Sequence, residues 1–228
     1  MSAFGFPRLR YANRREAGSI LAGRLREFAG RDDVVVLGLP RGGIPVAFEI
    51  AKALNAPLDV FVVRKLGLPG HPELAMGAIA SGGVRVLNDD LLRQLHVPPS
   101  MIDAVARAEQ AELERRERAY RGARPAVPVA GRVVILVDDG LATGSTMRAA
   151  VLAIRRVLPS EIVVAVPVGA RETCRALNEV ADNVVCALMP EPFTAVGLWY
   201  DNFEQTTDDE VRRLLAPQSP GGDIKRSA

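Results

Sequence analysis

The stretch that decides the fold is VVILVDDGLATGSTMRAAVLAIRR, residues 133–156. Its first five residues form a continuous apolar run of strand length, and two adjacent carboxylates, Asp138 and Asp139, follow directly. A loop of small and hydroxyl-bearing residues comes next, and from Ser145 the apolar residues recur at helical spacing. An apolar strand that leads through a short loop into a helix is typical of a parallel sheet covered on both faces.

Four further apolar runs of strand length occur along the chain. They alternate with segments of helical periodicity, as in a sheet built from strand–helix–strand units. Asn13 and Glu16 have the spacing of a capping box, so a helix is expected after Asn13. We expect the other strands at 33–40, 58–63, 162–168 and 183–188, and helices at 44–54, 145–158 and 171–181. The sequence therefore predicts an α/β fold with a doubly wound, parallel, five-stranded sheet.

Two segments interrupt this alternation. Residues 67–90 contain a Gly/Pro-rich loop and then a hairpin that turns at Ser81–Gly83. Residues 98–122 are expected to form an inserted, charged helix with Ser100 as its N-cap. Its apolar stripe is thin, so the helix either lies solvated on the domain or makes a homodimer contact.

The composition excludes several classes of protein. Of the 228 residues, 48% are hydrophobic and 25% are charged, which is typical of a globular protein and not of a disordered chain. A net charge of +2 gives no strongly basic surface, so we expect no nucleic acid partner. No apolar run approaches the ~20 residues of a membrane helix. The N-terminus lacks a secretory apolar segment, so we expect a cytoplasmic protein without membrane contact. Cys174 and Cys186 are expected to be buried free thiols.

The loop after the acidic pair has the chemistry of a phosphate site. It places backbone N–H groups and hydroxyls at a helix N-terminus, where the peptide dipoles favour an anion. The carboxylates of Asp138 and Asp139 can accept hydrogen bonds from the two hydroxyls of a ribose. The spacing thus suggests one ligand with both a vicinal diol and a phosphate, since neither a G-x-x-x-x-G-K-[ST] loop nor a G-x-G-x-x-G turn is present. The loop residues are Ala142, Thr143, Gly144, Ser145 and Thr146.

This arrangement resembles a known family. A hydrophobic strand, two Asp residues and then x-x-A/D-T-G-x-T before a helix is the 5-phosphoribosyl-1-pyrophosphate (PRPP) motif of type I phosphoribosyltransferases. Residues 134–146 match the motif throughout, and the order of elements is similar over about 30–205. The likeness is greatest to poorly characterised bacterial phosphoribosyltransferases, some of which are fused to a hydrolase domain.

The resemblance also implies a domain organisation. Residues 1–216 would form a single phosphoribosyltransferase domain, with the flexible loop and hairpin at about 67–90. A small hood would consist of residues from about 1–12 and 189–216. Residues 217–228 are rich in Pro, Gly and charge, so they are expected to be a disordered tail or a linker.

In this family, the turn after the first strand binds pyrophosphate through backbone amides and a basic side chain. Here that turn is residues 40–43, and the resemblance implies a non-proline cis peptide between Pro40 and Arg41. The residues themselves agree with this role, because Arg41 offers a fork of donors and the glycines allow close backbone approach. Two more cations end the second predicted strand, and ligands of open α/β sheets bind at strand carboxyl ends. The predicted pyrophosphate-binding residues are Arg41, Gly42, Gly43, Arg64 and Lys65.

The C-terminal segment resembles the hood that lines the base in purine-type members. It contains Phe193, Val196 and Trp199, and the indole of Trp199 is suited to stacking on a heterocycle. In 6-oxopurine members the position of Ala142 is an Asp that contacts the base. The resemblance therefore predicts a base site without selecting hypoxanthine or guanine.

Taken together, the resemblance implies a Mg²⁺-dependent transferase that moves the 5-phosphoribosyl group of PRPP to a nitrogenous base, as in nucleotide salvage. Asp138 and Asp139 would hold the ribose hydroxyls, directly or through Mg²⁺-bound water, and with Arg41 and Lys65 they form the predicted catalytic set. Two other functions stay open: a non-catalytic sensor of PRPP or nucleotides, and an RNA-binding regulator, which the small net charge disfavours. Many family members dimerise, so a homodimer is a further expectation.

Overall fold

The computed structural model describes residues 10–216, apart from the side chains of residues 72 and 73. The predicted tail at 217–228 and most of the N-terminal part of the hood, residues 1–9, lie outside the described residues. No helix within the described part is long and apolar enough to span a bilayer.

A parallel five-stranded sheet forms the centre of the fold. From one edge to the other its strands are β2 (Leu58–Val60), β1 (Val34–Gly38), β6 (Val133–Val137), β7 (Glu161–Val168) and β8 (Asn183–Leu188). Every residue of β1 and β6 is buried, as expected for central strands covered on both faces. The predicted fold class and the five strands are confirmed. The second strand is shorter than the expected 58–63, because the chain leaves the sheet after Val60.

Helices cover the two faces of this sheet. On one face, α1 (Arg14–Ala22) and α2 (Gly43–Leu54) pack against alternate residues of the central strands. On the other face, α5 (Ser145–Arg155) and α6 (Arg171–Leu177) pack against the remaining residues. The buried free thiols Cys174, in α6, and Cys186, in β8, lie in this second layer of the core. The doubly wound arrangement brings the loops after β1 and β6 to the same edge of the sheet.

After β2 the chain enters a second sheet, which is antiparallel and has three strands. It consists of β3 (Val63–Leu68), β4 (His71–Ala80) and β5 (Val84–Leu87). The expected hairpin is confirmed, and Gly82 and Gly83 take positive φ at its turn. Strand β3 was not expected, because its first residues continue the apolar run of β2 and no turn residue separates the two.

The charged insertion forms the long helix α4 (Pro99–Arg121), which packs on β3 and β4. A short helix that was not expected, α3 (Asp89–Gln94), precedes it. The predicted N-cap at Ser100 is wrong, because Pro99 occupies the first helical position and Pro98 is the cap residue. The last helix, α7 (Asp208–Leu215), packs on α2 and α4 although the prediction placed it in the hood.

Candidate functional site

The acidic pair lies where β6 ends, at the carboxyl edge of the sheet. The backbone N–H of Asp139 donates to Oδ1 of Asp138 at 2.8 Å, so the loop holds the Asp138 carboxylate in place. Burial and the neighbouring Asp139 carboxylate raise the pKa of Asp138 well above its ordinary value. Burial also raises the pKa of Asp139, while the adjacent guanidinium of Arg14 opposes that shift. The two side chains therefore form a coupled, poorly solvated pair that favours a cation or a hydrogen-bond donor.

Arg14 is a site residue that the sequence analysis missed. Its Nε donates to Oδ2 of Asp139 at 2.7 Å, and both side chains are largely buried. Arg14 is the first residue of α1, directly after the N-cap Asn13. A cation there is disfavoured by the helix dipole. This unfavourable placement is the signal from which a tertiary carboxylate partner could have been inferred.

The glycine turn before α2 touches the acidic pair. A Cβ atom placed on Gly42 would lie 2.6 Å from Cγ of Asp139, and one on Gly43 would lie 2.9 Å from Cα of Asp138. Such distances leave no room for a side chain at either position. The two predicted loops, after β1 and after β6, thus form one continuous surface.

Arg41 borders that surface. The peptide bond between Pro40 and Arg41 is cis, as the sequence analysis expected. The Arg41 side chain is partly exposed, with Nη1 3.7 Å from Oδ1 of Asp208 at the start of α7. The Tyr120 hydroxyl donates to the same Asp208 oxygen at 3.0 Å. A half-exposed pair at this distance is weak, so an anion at the turn can compete for the guanidinium.

The loop of small residues, 142–146, contacts α6. Gly144 caps α5 with φ +69°, and a Cβ atom there would lie 2.5 Å from Cγ2 of Thr173. The hydroxyl of Thr173 donates to the carbonyl oxygen of Ala142 at 2.7 Å. The hydroxyls of Thr143 and Ser145 lie 3.2 Å apart. Next along the chain, Thr146 belongs to the first turn of α5, whose backbone N–H groups lack helical partners and can bind an anion.

The neighbouring cations Arg64 and Lys65 lie on opposite faces of the antiparallel sheet. Arg64 faces α4 and pairs with Glu109 at 2.6 Å. Lys65 faces the start of α5 and lines a cavity of about 490 Å³ together with Ser145, Thr146 and Arg148. The prediction grouped the two as ligands of one pyrophosphate. Because strand residues alternate between faces, the structure brings Lys65 alone to the loop.

The hood residues lie behind the acidic loop. A Cβ atom on Gly140 would lie 2.5 Å from Cγ1 of Val196, so Val196 covers the residue after the acidic pair. Phe193 and Trp199 are half-buried in the same small apolar cluster as Val196. The indole Nε1 of Trp199 is buried and has no hydrogen-bond partner among the described residues. The structure thus places the three predicted base-site residues together, beside the loop that carries the acidic pair.

The acidic pair fits a particular kind of metal site. Within residues 10–216, residues 72 and 73 excepted, no cluster of three or more His, Cys, Asp or Glu side chains could hold a metal ion by itself. Two neighbouring carboxylates are sufficient for Mg²⁺ that arrives with a phosphate ligand, because such sites take one or two carboxylates and complete the shell with phosphate oxygens and water.

Part of this chain matches a protein-family model. The model described as the phosphoribosyl transferase domain matches residues 70–198, more than half of the chain. That range contains the acidic pair, the small-residue loop and most of the flap formed by β3, β4 and β5.

Two named proteins and one solved structure are similar to this chain. The Mycobacterium tuberculosis H37Rv protein named "Putative phosphoribosyl transferase Rv0571c" is 51% identical over 205 residues, which are 90% of this chain and 46% of that protein. The chain thus spans about half the length of the curated relatives that it matches first. "Bifunctional protein PyrR" of Actinobacillus pleuropneumoniae is 31% identical over 117 residues, covering 50% of this chain and 65% of that one. The crystal structure of TT1426 from Thermus thermophilus superposes with a TM-score of 0.82 at 43% identity, covering 90% of this chain and 97% of that one.

Proposed function

The chain belongs to the phosphoribosyltransferase family, and from that premise we propose that it transfers the 5-phosphoribosyl group of PRPP to a nitrogenous base. Pyrophosphate would be released, in a reaction of the nucleotide-salvage type. Its substrates would be two small molecules, with no role for nucleic acid or a membrane. The free buried thiols suit a reducing cytoplasm.

One observation carries this proposal: the glycine turn and the acidic loop touch. Because β1 and β6 are paired neighbours, the turn at 40–43 and the pair at 138–139 meet at one strand edge, and the loop at 142–146 continues from the pair. A single ligand that extends along this surface would meet a basic turn, then two carboxylates, then a helix N-terminus. PRPP carries the complementary groups in that order: a pyrophosphate, two ribose hydroxyls and a 5-phosphate.

We assign the residues by the chemistry that each can supply. Arg41, with the backbone of Gly42 and Gly43, would bind the pyrophosphate and stabilise the charge that it gains as it departs. Asp138 and Asp139 would accept hydrogen bonds from the ribose hydroxyls. Residues 142–146 would bind the 5-phosphate, and Lys65 would approach PRPP from the flap. The base nitrogen would form its bond to C1 of the ribose as the bond from C1 to pyrophosphate breaks.

Mg²⁺ is the proposed cofactor. Asp138 and Asp139 would hold it, directly or through water, and when bound it neutralises charge on the pyrophosphate. The flap of β3, β4 and β5 would exclude water from C1, and Trp199, Phe193 and Val196 would border the base.

The experiment is a pyrophosphate-release assay with PRPP, Mg²⁺ and a panel of purine and pyrimidine bases, beside calorimetry with PRPP. Release with at least one base supports the proposal. The variants Asp139→Asn and Thr143→Ala should each bind PRPP more weakly than wild type. Tight PRPP binding without release for any base would instead indicate the non-catalytic sensor, and no PRPP binding at all would contradict both functions.

A further inference from the structure

Arg14 occupies a position that its local helix disfavours and that only a tertiary partner explains. It begins α1, where the helix dipole repels a cation. Its guanidinium is nevertheless largely buried, with Nε 2.7 Å from Oδ2 of Asp139. A buried charge at such a position is held there by specific contacts and not by local propensity.

Two further contacts fix the guanidinium in place. Its Nη1 donates to the backbone carbonyl oxygen of Glu204 at 2.7 Å. Its Cζ lies 3.9 Å from the ring centroid of Phe203, within cation–π range. Arg14 therefore joins the acidic loop to residues 203 and 204 of the predicted hood.

A second path connects the same parts. The Tyr200 hydroxyl donates to the backbone carbonyl oxygen of Asp139 at 2.6 Å, and its ring stacks on Phe203 at a centroid distance of 4.9 Å. Arg14, Asp139, Tyr200 and Phe203 thus form a closed ring of contacts that holds both the backbone and the carboxylate of Asp139.

We propose that Arg14 is a positioning residue for the sugar end of the substrate. It binds one carboxylate oxygen of Asp139 and thereby turns the other oxygen toward the ribose hydroxyls and their metal ion. This inference rests on the proposed function. It assigns Arg14 no contact with substrate, and it predicts that loss of Arg14 weakens the binding of ligands that carry the ribose more than the binding of ligands that do not.

The test compares two ligands and three variants by calorimetry in the presence of Mg²⁺. PRPP carries the ribose, whereas inorganic pyrophosphate carries only the leaving group. Arg14→Ala should weaken PRPP binding about tenfold and pyrophosphate binding clearly less, because pyrophosphate lacks the ribose hydroxyls that Asp139 would bind. Arg14→Lys keeps a cation and should recover part of the PRPP affinity.

Arg15→Ala is the matched control. Arg15 is the next residue of α1 and pairs with Glu49 at 2.8 Å, away from the acidic loop. It should bind both ligands like wild type.

Three results would overturn the inference, and each is distinguishable. Unchanged PRPP affinity in Arg14→Ala would show that Asp139 needs no partner. Equal weakening of PRPP and pyrophosphate would show that Arg14 only holds the fold together. Failure of the wild-type protein to bind PRPP would remove the proposed function itself, and with it the ribose that Arg14 is argued to serve.

Discussion

Gly42 and Asp139 touch: a Cβ atom placed on Gly42 would lie 2.6 Å from Cγ of Asp139. Glycine follows β1 and aspartate follows β6, so this contact joins two loops that are almost 100 residues apart in the chain. The candidate site is built on that junction, because an added methyl group would separate the basic turn from the carboxylates.

Gly42→Ala should therefore weaken PRPP binding about tenfold or more, since the new methyl group would displace Asp139. Calorimetry with PRPP and Mg²⁺ measures the change. Gly23→Ala is the control, because Gly23 lies at the end of α1 with φ −61° and far from the site. If Gly42→Ala binds PRPP like wild type, the close junction is not needed for binding.

The stability of the ligand-free protein should depend on the protonation of Asp138. Burial and Asp139 raise the pKa of Asp138 above its ordinary value of 3.8. Between these two values the folded protein keeps a proton that the unfolded chain has lost, so this group makes stability fall as the pH rises. Asp138→Asn removes the effect, so the variant should be more stable than wild type at neutral pH and lose that advantage near pH 4. We expect the Tm of the variant to exceed that of wild type at neutral pH.

Thermal unfolding at several pH values, with EDTA and no ligand, checks this prediction. Asp182→Asn is a control for which we expect the opposite change in stability. Arg155 and the backbone N–H of Ile162 bind Asp182 and lower its pKa, so this variant should lose stability at neutral pH. A destabilised Asp138→Asn protein at neutral pH would show that the carboxylate is stabilising in the fold.

Arg64 and Lys65 lie on opposite faces of the antiparallel sheet, so substitutions at the two positions should change PRPP affinity unequally. Lys65 lines the cavity beside Ser145 and Thr146, whereas Arg64 is paired with Glu109 on the other face. Lys65→Met should weaken PRPP binding about tenfold, and Arg64→Met less than about threefold, when both are measured by calorimetry at the same ionic strength. The reverse order would show that Arg64 leaves Glu109 and that the flap rearranges around the ligand.

Trp199 provides a direct signal from the hood, because it is the single tryptophan of the sequence. If its ring borders the base, a nucleoside monophosphate should quench its fluorescence in a saturable titration, while pyrophosphate alone should not. Trp199→Phe should remove the signal and retain pyrophosphate affinity. The Trp199→Phe substitution removes no hydrogen bond within residues 10–216, since the indole Nε1 has no partner there. Nucleotide binding that is evident by calorimetry but silent in fluorescence would place the base elsewhere.

Much of this site could be predicted from local sequence. The strand–Asp–Asp–loop–helix order at 133–156 requires only neighbouring residues, and the structure has each element in its expected place. The boundary between β2 and β3 could not be predicted in the same way, because residues 58–66 are apolar or charged with no turn signal, and the chain changes sheets by tertiary packing.

By itself, the sequence determined the parallel sheet and the chemistry at the ends of β1 and β6, since hydrophobic periodicity and small-residue loops act over a few residues. Only the tertiary structure decided which distant side chains meet there. Arg14 reaches Asp139 across 125 positions of the chain, and Arg64 and Lys65 separate onto two faces. The reason is physical: ion pairing and side-chain direction depend on how whole elements pack, and no local pattern encodes that packing.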